Sequence, residues 1–337
     1  SGPGCGGGGG AGGRRSCKRA GRAAVPVPMT MIPRHMSLAE LDRILPKLVE
    51  RGLRDDGEFL CADLGNDERT ASVAALVIWH GFLPMAGMGM LLPKIHKWRC
   101  VLSPRDIHIG RKVRRRATGF RLSIDQAWPA VVRSIQDLTY TAEPGDCWLC
   151  DEIADVYKAV GSLEGEWRRG GTTFHSVELW HIESGELVAG EIGYTCGSVY
   201  SSCTGFAIKD KYPGTGCVQL AALGQWLVKC GFELWDLGME MEYKLQLGGK
   251  MVPRSEWARQ CYELRDAVRV LTNPEGADAD AHVLLLSGGK VAAQGPGALG
   301  GGEAAAQEPG GKHCPKAAPA GACARASAEA HSGGRAA

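Results

Sequence analysis

"KDKYPGTGCVQLAALGQWLVKCGFELWDLG", residues 209–238, decides the fold. A glycine-bearing turn opens it, and apolar residues at helical spacing follow, ended by Gly231. Phe232–Leu237, with Leu234, Trp235 and Leu237 apolar, then reads as a strand, which Gly238 closes. Upstream, "HSVELWHI" (175–182), "ELVAGEIGYTCG" (186–197) and "SVYSSCTGFAI" (198–208) are strand-like runs separated by short turns. They read as an antiparallel meander. Three strands, a glycine loop, a helix and a strand give the order of an α+β sandwich.

Asp236 stands in the middle of the last strand, between Trp235 and Leu237. A buried carboxylate costs free energy unless something compensates it. With Trp148, Tyr200, Phe206 and Trp235 it could form an apolar pocket holding one polar group. It could equally bond backbone N–H groups at the strand end, with the aromatics simply in the core. Composition alone leaves both readings open.

The 337 residues allow about two domains as a prior. At 44% apolar they can build a sizeable core, and a formal net charge of +2 makes any basic surface a local one. No apolar run is long enough for a transmembrane helix. Thirteen scattered cysteines read as reduced thiols in a reducing compartment, and the expected location is cytoplasmic. Cys147 and Cys150 form a lone C-W-L-C without a second pair at zinc spacing, so no metal and no cofactor is expected.

Residues 1–28 are rich in Gly, Ala and Arg, too poor in apolar surface to fold, and compatible with an organelle-import segment. Residues 1–36 are therefore taken as disordered or targeting. Residues 37–97 are a small N-terminal α-rich lobe. Ser37 and Glu40 have capping-box spacing before Leu38, Leu41, Ile44, Leu45 and Leu48, and a second helix spans 70–81. Residues 98–272 form the main domain, in which Ser123 with Gln126 suggests another capped helix start. Residues 273–337 read as a low-complexity tail, with "AHVLLLSGG" as a short extra element.

Two further stretches carry chemistry. "KYPGTG" (211–216) puts glycines before a helix, where backbone N–H groups hold anions. Meander, loop, helix and strand in this order resemble the GNAT acyltransferase fold, whose pyrophosphate loop has Arg or Gln where Lys211 stands and glycines matching Gly214 and Gly216. "KIHKWRCVLSPRDIHIGRKVRRR" (94–116) carries nine Lys and Arg against Asp106, with Trp98 and two histidines between them. Such a field suits nucleic-acid phosphates; the alternative is a solvated charged face.

From about Gly57 to Arg265 the motifs resemble those of leucyl/phenylalanyl-tRNA–protein transferases, a family built on the GNAT fold. "GFLPM", "RCVLSPRDIHIGRKVRRR", "CWLCDEIADVY", "HSVELW…ELVAGEIG" and "DLGMEMEYKLQLGGKMVPRSEW" fall in register with its pattern. The resemblance implies a GNAT-like mixed sheet with flanking helices. It implies transfer of a leucyl, phenylalanyl or methionyl group from aminoacyl-tRNA to proteins beginning with Lys or Arg, marking them for degradation. Arg99, Arg111, Arg114 and Arg115 would face the tRNA acceptor stem. Trp148, Met85, Tyr200, Phe206 and Cys203 would line the aminoacyl-adenosine pocket, and Asp236 would be catalytic, orienting the incoming amine.

The reaction centre departs from that pattern. Gly238 stands where the family has Gln, Cys203 where it has Glu, Met85 where it has Trp and Tyr200 where it has Phe. Two rival readings follow. One is a non-catalytic tRNA-binding relative; the other is an N-acyltransferase using acyl-CoA at "KYPGTG".

Overall fold

The computed structural model describes residues 30–51, 60–138 and 147–287. The Gly/Ala/Arg-rich start and the tail beyond Ser287 lie outside the described residues. In the first lobe, strand β1 (Thr30–Met31) precedes helix α1 (Leu38–Arg51). Its start is the capping box read from sequence: Ser37 N–H donates to Glu40 Oε2 at 2.9 Å and Glu40 N–H to Ser37 Oγ at 3.2 Å. Strand β2 (Leu60–Asp63) leads to helix α2 (Glu68–Trp79), capped by Asp67, whose carboxylate accepts the Thr70 N–H at 2.8 Å. Every residue from Thr70 to Trp79 is buried, as an all-round apolar helix requires.

The lobe is not simply α-rich. "LPMAGMGMLLPK" is a hairpin of β3 (Leu83–Gly87) and β4 (Met90–Lys94). Its Met88–Gly89 turn has positive φ at both residues, the twist that suits a two-residue hairpin. The four strands form a small sheet in the order β1-β2-β4-β3.

The main sheet takes strands from the rest of the chain. These are β5 (Trp98–Leu102), β6 (Phe120–Ile124), β7 (Thr173–His181), β8 (Leu187–Cys196), β9 (Val199–Ala207), β10 (Leu234–Gly238) and β11 (Lys250–Pro253). Their order is β11-β5-β10-β9-β8-β7-β6. The expected meander is β7-β8-β9, and β10 returns parallel to β9 after helix α6 (Thr215–Lys229). This is an α+β fold with a mixed sheet. Helix α3 (Arg111–Arg116) follows β5, α4 (Trp128–Leu138) follows β6, and α5 (Asp151–Gly161) precedes β7. After β10 come α7 (Glu242–Gln246), α8 (Arg254–Leu264) and α9 (Ala281–Ser287).

Ser123 does not cap a helix. It lies in β6 opposite Glu178, to which its hydroxyl donates at 2.6 Å, and α4 begins five residues later at Trp128. Glu178, from β7, caps the approach to α4 by accepting the Ala127 N–H at 3.1 Å.

Side chains of the sheet divide between two cores. One face carries Ile192, Tyr194, Val199, Phe206 and Leu234 against residues of α2, α4, α5 and α8. The opposite face carries Ala189, Tyr200, Trp235 and Leu237 against α6 and α9. Part of the presumed tail is therefore structural. Asn273 Oδ1 accepts the Ile124 N–H at 2.9 Å, and Leu284 and Leu285 of α9 are fully buried. Leu284→Ala is expected to cost about 2–5 kcal/mol, the range for truncating a buried leucine. The measurement is the urea midpoint; an unchanged midpoint would show that α9 is not part of the cooperative unit.

Candidate functional site

Asp236 is fully buried, and four donors converge on its carboxylate. Arg99 contributes Nε to Oδ1 at 3.2 Å and Nη2 to Oδ2. Trp257 Nε1 donates to Oδ2 at 3.1 Å, and the Gly238 N–H to Oδ1 at 2.9 Å. The Arg99 guanidinium also lies 4.5 Å from the Trp257 ring centroid. Burial works against its charge, but the Asp236 carboxylate more than offsets that and holds the guanidinium well above its ordinary pKa. Three elements, β5, β10 and α8, are thus tied by one fork-shaped ion pair.

The placement corrects one expectation directly. Arg99 is 3% exposed and cannot face an acceptor stem. Asp236, assigned to catalysis from the resemblance, has no bare edge, since its carboxylate is already filled by protein donors.

The sheet opens next to this pair. The β9–β10 ladder ends at Asp236↔Ser201, although β9 continues to Ala207. Both strands bulge there: β10 between Asp236 and Gly238 against β5, and β9 at Cys203, the extra residue between Ser202↔Gly193 and Thr204↔Ile192. Bulges re-aim side chains and are frequent beside active sites. This one brings Cys203 and Phe206 into the core that also holds Trp148.

The five expected pocket residues do not all meet. Trp148, Cys203 and Phe206 share that core. Tyr200 is fully buried in the opposite one and bonds Glu191. Met85 is half-buried on β3 of the small sheet, anchored one residue away where Pro84 O accepts the Tyr157 hydroxyl.

The basic run divides as well. Arg111 and Arg115 are exposed on α3, beside Lys112. Arg114 is half-buried and donates to Leu285 O, while its own carbonyl meets His282 Nδ1 at 3.1 Å, so it fastens α9. Helix α3 packs against α6, on the sheet face opposite Trp148. At the glycine loop, Gly214 has φ +85°, and a Cβ there would lie 2.4 Å from Arg116 Nη1. Lys211, the residue at the Arg/Gln position, donates to Glu186 Oε2 at 2.5 Å.

One group escaped the sequence reading altogether. Glu191 of β8 is 4% exposed and accepts from Ser202 Oγ at 2.8 Å, Tyr200 Oη at 2.9 Å and Gln219 Nε2 at 3.3 Å. Burial pushes its carboxyl above the ordinary range. The only signal was a carboxylate inside the apolar run "LVAGEIGY".

This geometry defines an α+β protein whose mixed sheet opens beside a buried ion pair. Residues 101–262, just under half of the chain, match the family described as leucyl/phenylalanyl-tRNA protein transferase. The leucyl/phenylalanyl-tRNA–protein transferase of Azotobacter vinelandii is 30% identical over 166 residues, 48% of this chain and 65% of that protein. Those of Anaeromyxobacter sp. strain K and Desulforapulum autotrophicum are 27% and 29% identical over 161 residues, 47% of this chain and 63% and 64% of theirs. The chain spans just under two thirds of the length of these relatives. A solved structure described as the crystal structure of FemX matches at TM-score 0.34 and 10% identity, over 64% of this chain and 75% of that one, a likeness too weak to bear on fold or function.

Trp257→Phe keeps one aromatic ring, removes one donor from a buried carboxylate and leaves a small cavity where the pyrrole stood. It is expected to cost about 1.5–3 kcal/mol, as for other hydrogen bonds to charged groups. A urea titration checks this, and a loss under about 0.5 kcal/mol would mean the indole N–H is not part of the pair's support.

Proposed function

We propose that the protein transfers a leucyl or phenylalanyl group from aminoacyl-tRNA to the N-terminal amine of a protein beginning with Lys or Arg, feeding protein degradation. The family match over residues 101–262 carries this reading. Trp148, Cys203 and Phe206 beside the opening of the sheet supply an apolar wall for the aminoacyl side chain and the adenine ring. Arg111, Lys112 and Arg115 supply exposed cations for tRNA phosphates. Peptide formation from an activated ester needs mainly a placed, neutral amine, so positioning accounts for much of the rate. Incubation with tRNA charged with Leu, Phe or Met and an Arg-initiated peptide tests the reading. Peptide extended by one residue is expected; no extension from any of the three tRNAs would remove it.

The second reading, a tRNA-binding relative without turnover, is favoured by one observation. The carboxylate assigned to catalysis is occupied by Arg99, Trp257 and Gly238. It predicts saturable tRNA binding in the absence of product. The acyl-CoA alternative is weakened by Arg116 over Gly214 and by the engagement of Lys211 with Glu186.

Arg111→Gln and Arg115→Gln are each expected to weaken tRNA binding and to reduce the slope of log K against log salt by about 1. Binding titrations at several salt concentrations measure this. Unchanged slopes would put the tRNA on another surface.

A further inference from the structure

We infer that Ser202 is a catalytic residue, receiving the proton released by the attacking amine and passing its own to Glu191. The inference rests on the transferase reading and concerns a step that reading leaves unassigned.

Ser202 stands one residue beyond the last β9–β10 pair and immediately before the bulge residue Cys203. Its neighbour across the opening is Gly238, where an added Cβ would meet only Ser202 O, 4.0 Å away. The space beside Gly238 and the Ser202 carbonyl is therefore open to at least one added carbon. Ser202 is half-buried, whereas Glu191 behind it is 4% exposed. Ser202 Oγ accepts from Trp235 Nε1 at 2.9 Å and donates its only hydrogen to Glu191 Oε1 at 2.8 Å. These two bonds fix the hydroxyl and leave it a second lone pair as acceptor.

Glu191 is built as a proton acceptor. Its donors, Tyr200, Ser202 and Gln219, are all neutral. Glycine at position 205, across the register from Glu191, keeps its space: a Cβ there would lie 3.0 Å from Glu191 Cβ. The ionisable groups around it are Tyr200 and Cys203 of β9 and Tyr243 and Lys244 of α7. Lys244 is itself committed to Leu237 O and Met239 O. Without a direct ionic partner, and with burial raising its pKa, Glu191 is a stronger base than an exposed glutamate.

In the step, the amine nitrogen forms a bond to the ester carbonyl carbon. An N–H proton passes to Ser202 Oγ as the Ser202 proton passes to Glu191 Oε1. The C–O ester bond then breaks, and the ribose hydroxyl leaves with the proton returned along the same path. Ser202 touches the amine, and Glu191 acts through it as a positioning residue.

The test is single-turnover transfer from Leu-tRNA to an Arg-initiated peptide across pH 5–9, with tRNA binding and thermal unfolding measured on the same samples. Ser202→Ala is expected to lower the transfer rate about 100-fold with tRNA affinity retained and Tm lowered by a few degrees, the protein still folded at the assay temperature, and Ser202→Thr to restore most of the rate. The wild-type rate should rise with pH through a lower limb, as Glu191 loses its proton, and a higher one, as the peptide α-amine becomes neutral; Glu191→Gln should remove only the lower. Wild-type rates in Ser202→Ala, with the wild type active, would overturn this inference alone. No product from the wild type would overturn the transferase reading and the inference with it.

Discussion

Four donors on one buried carboxylate set the constraint from which the rest of the structure follows. Asp236 in the middle of the sheet would cost several kcal/mol if left unpaired. Arg99, 137 residues earlier in the chain, removes that cost and in doing so fixes β5 against β10. Trp257 brings α8 to the same point. The small lobe is drawn in too: Gly81, at φ +90°, leaves no room for a side chain, because a Cβ would fall 2.0 Å from Trp257 Cη2. A buried pair of this kind is not bound to exceed a well-packed apolar substitute in stability. Its contribution here is to make one register of β5, β10 and α8 the satisfied one.

The same point is where the sheet parts. Gly238 donates back to Asp236, so β10 turns away as soon as the pair is closed, while β9 bulges at Cys203 and continues paired with β8. The consequence is a division of labour: Asp236 shapes the opening, and other groups face it. Trp148 and Phe206 belong to one side, and Ser202 reaches Glu191 on the other. A wall of aromatics and a hydrogen-bonded acid thus lie to either side of one break in the sheet.

Much of this was legible in the sequence because it is local. The two-residue period of β7–β9, the glycines bounding α6 and the Ser37–Glu40 box each need only neighbours in the chain. What was misread depends on distant partners. Arg99 sits in a run of cations, and only Asp236 turns it inward; the following Cys100, Val101 and Leu102 were the available sign of a strand. Ser123 has the spacing of a cap, yet Glu178 claims its hydroxyl. Arg114 looks like its neighbours Arg111 and Arg115 until α9 folds back over it. Glu191 could not be singled out, since alternation alone does not say which face of β8 meets Ser202 and Gln219.

A double-mutant cycle on the central pair tests the account most directly, using Arg99→Met, Asp236→Leu and the two combined, each measured by urea unfolding. Each single change strands one buried charge, so the account predicts a loss of about 3–5 kcal/mol from either alone, with the combined variant recovering much of it. Losses that simply add, within about 0.5 kcal/mol, would contradict the claim that these two side chains hold the sheet together as a unit.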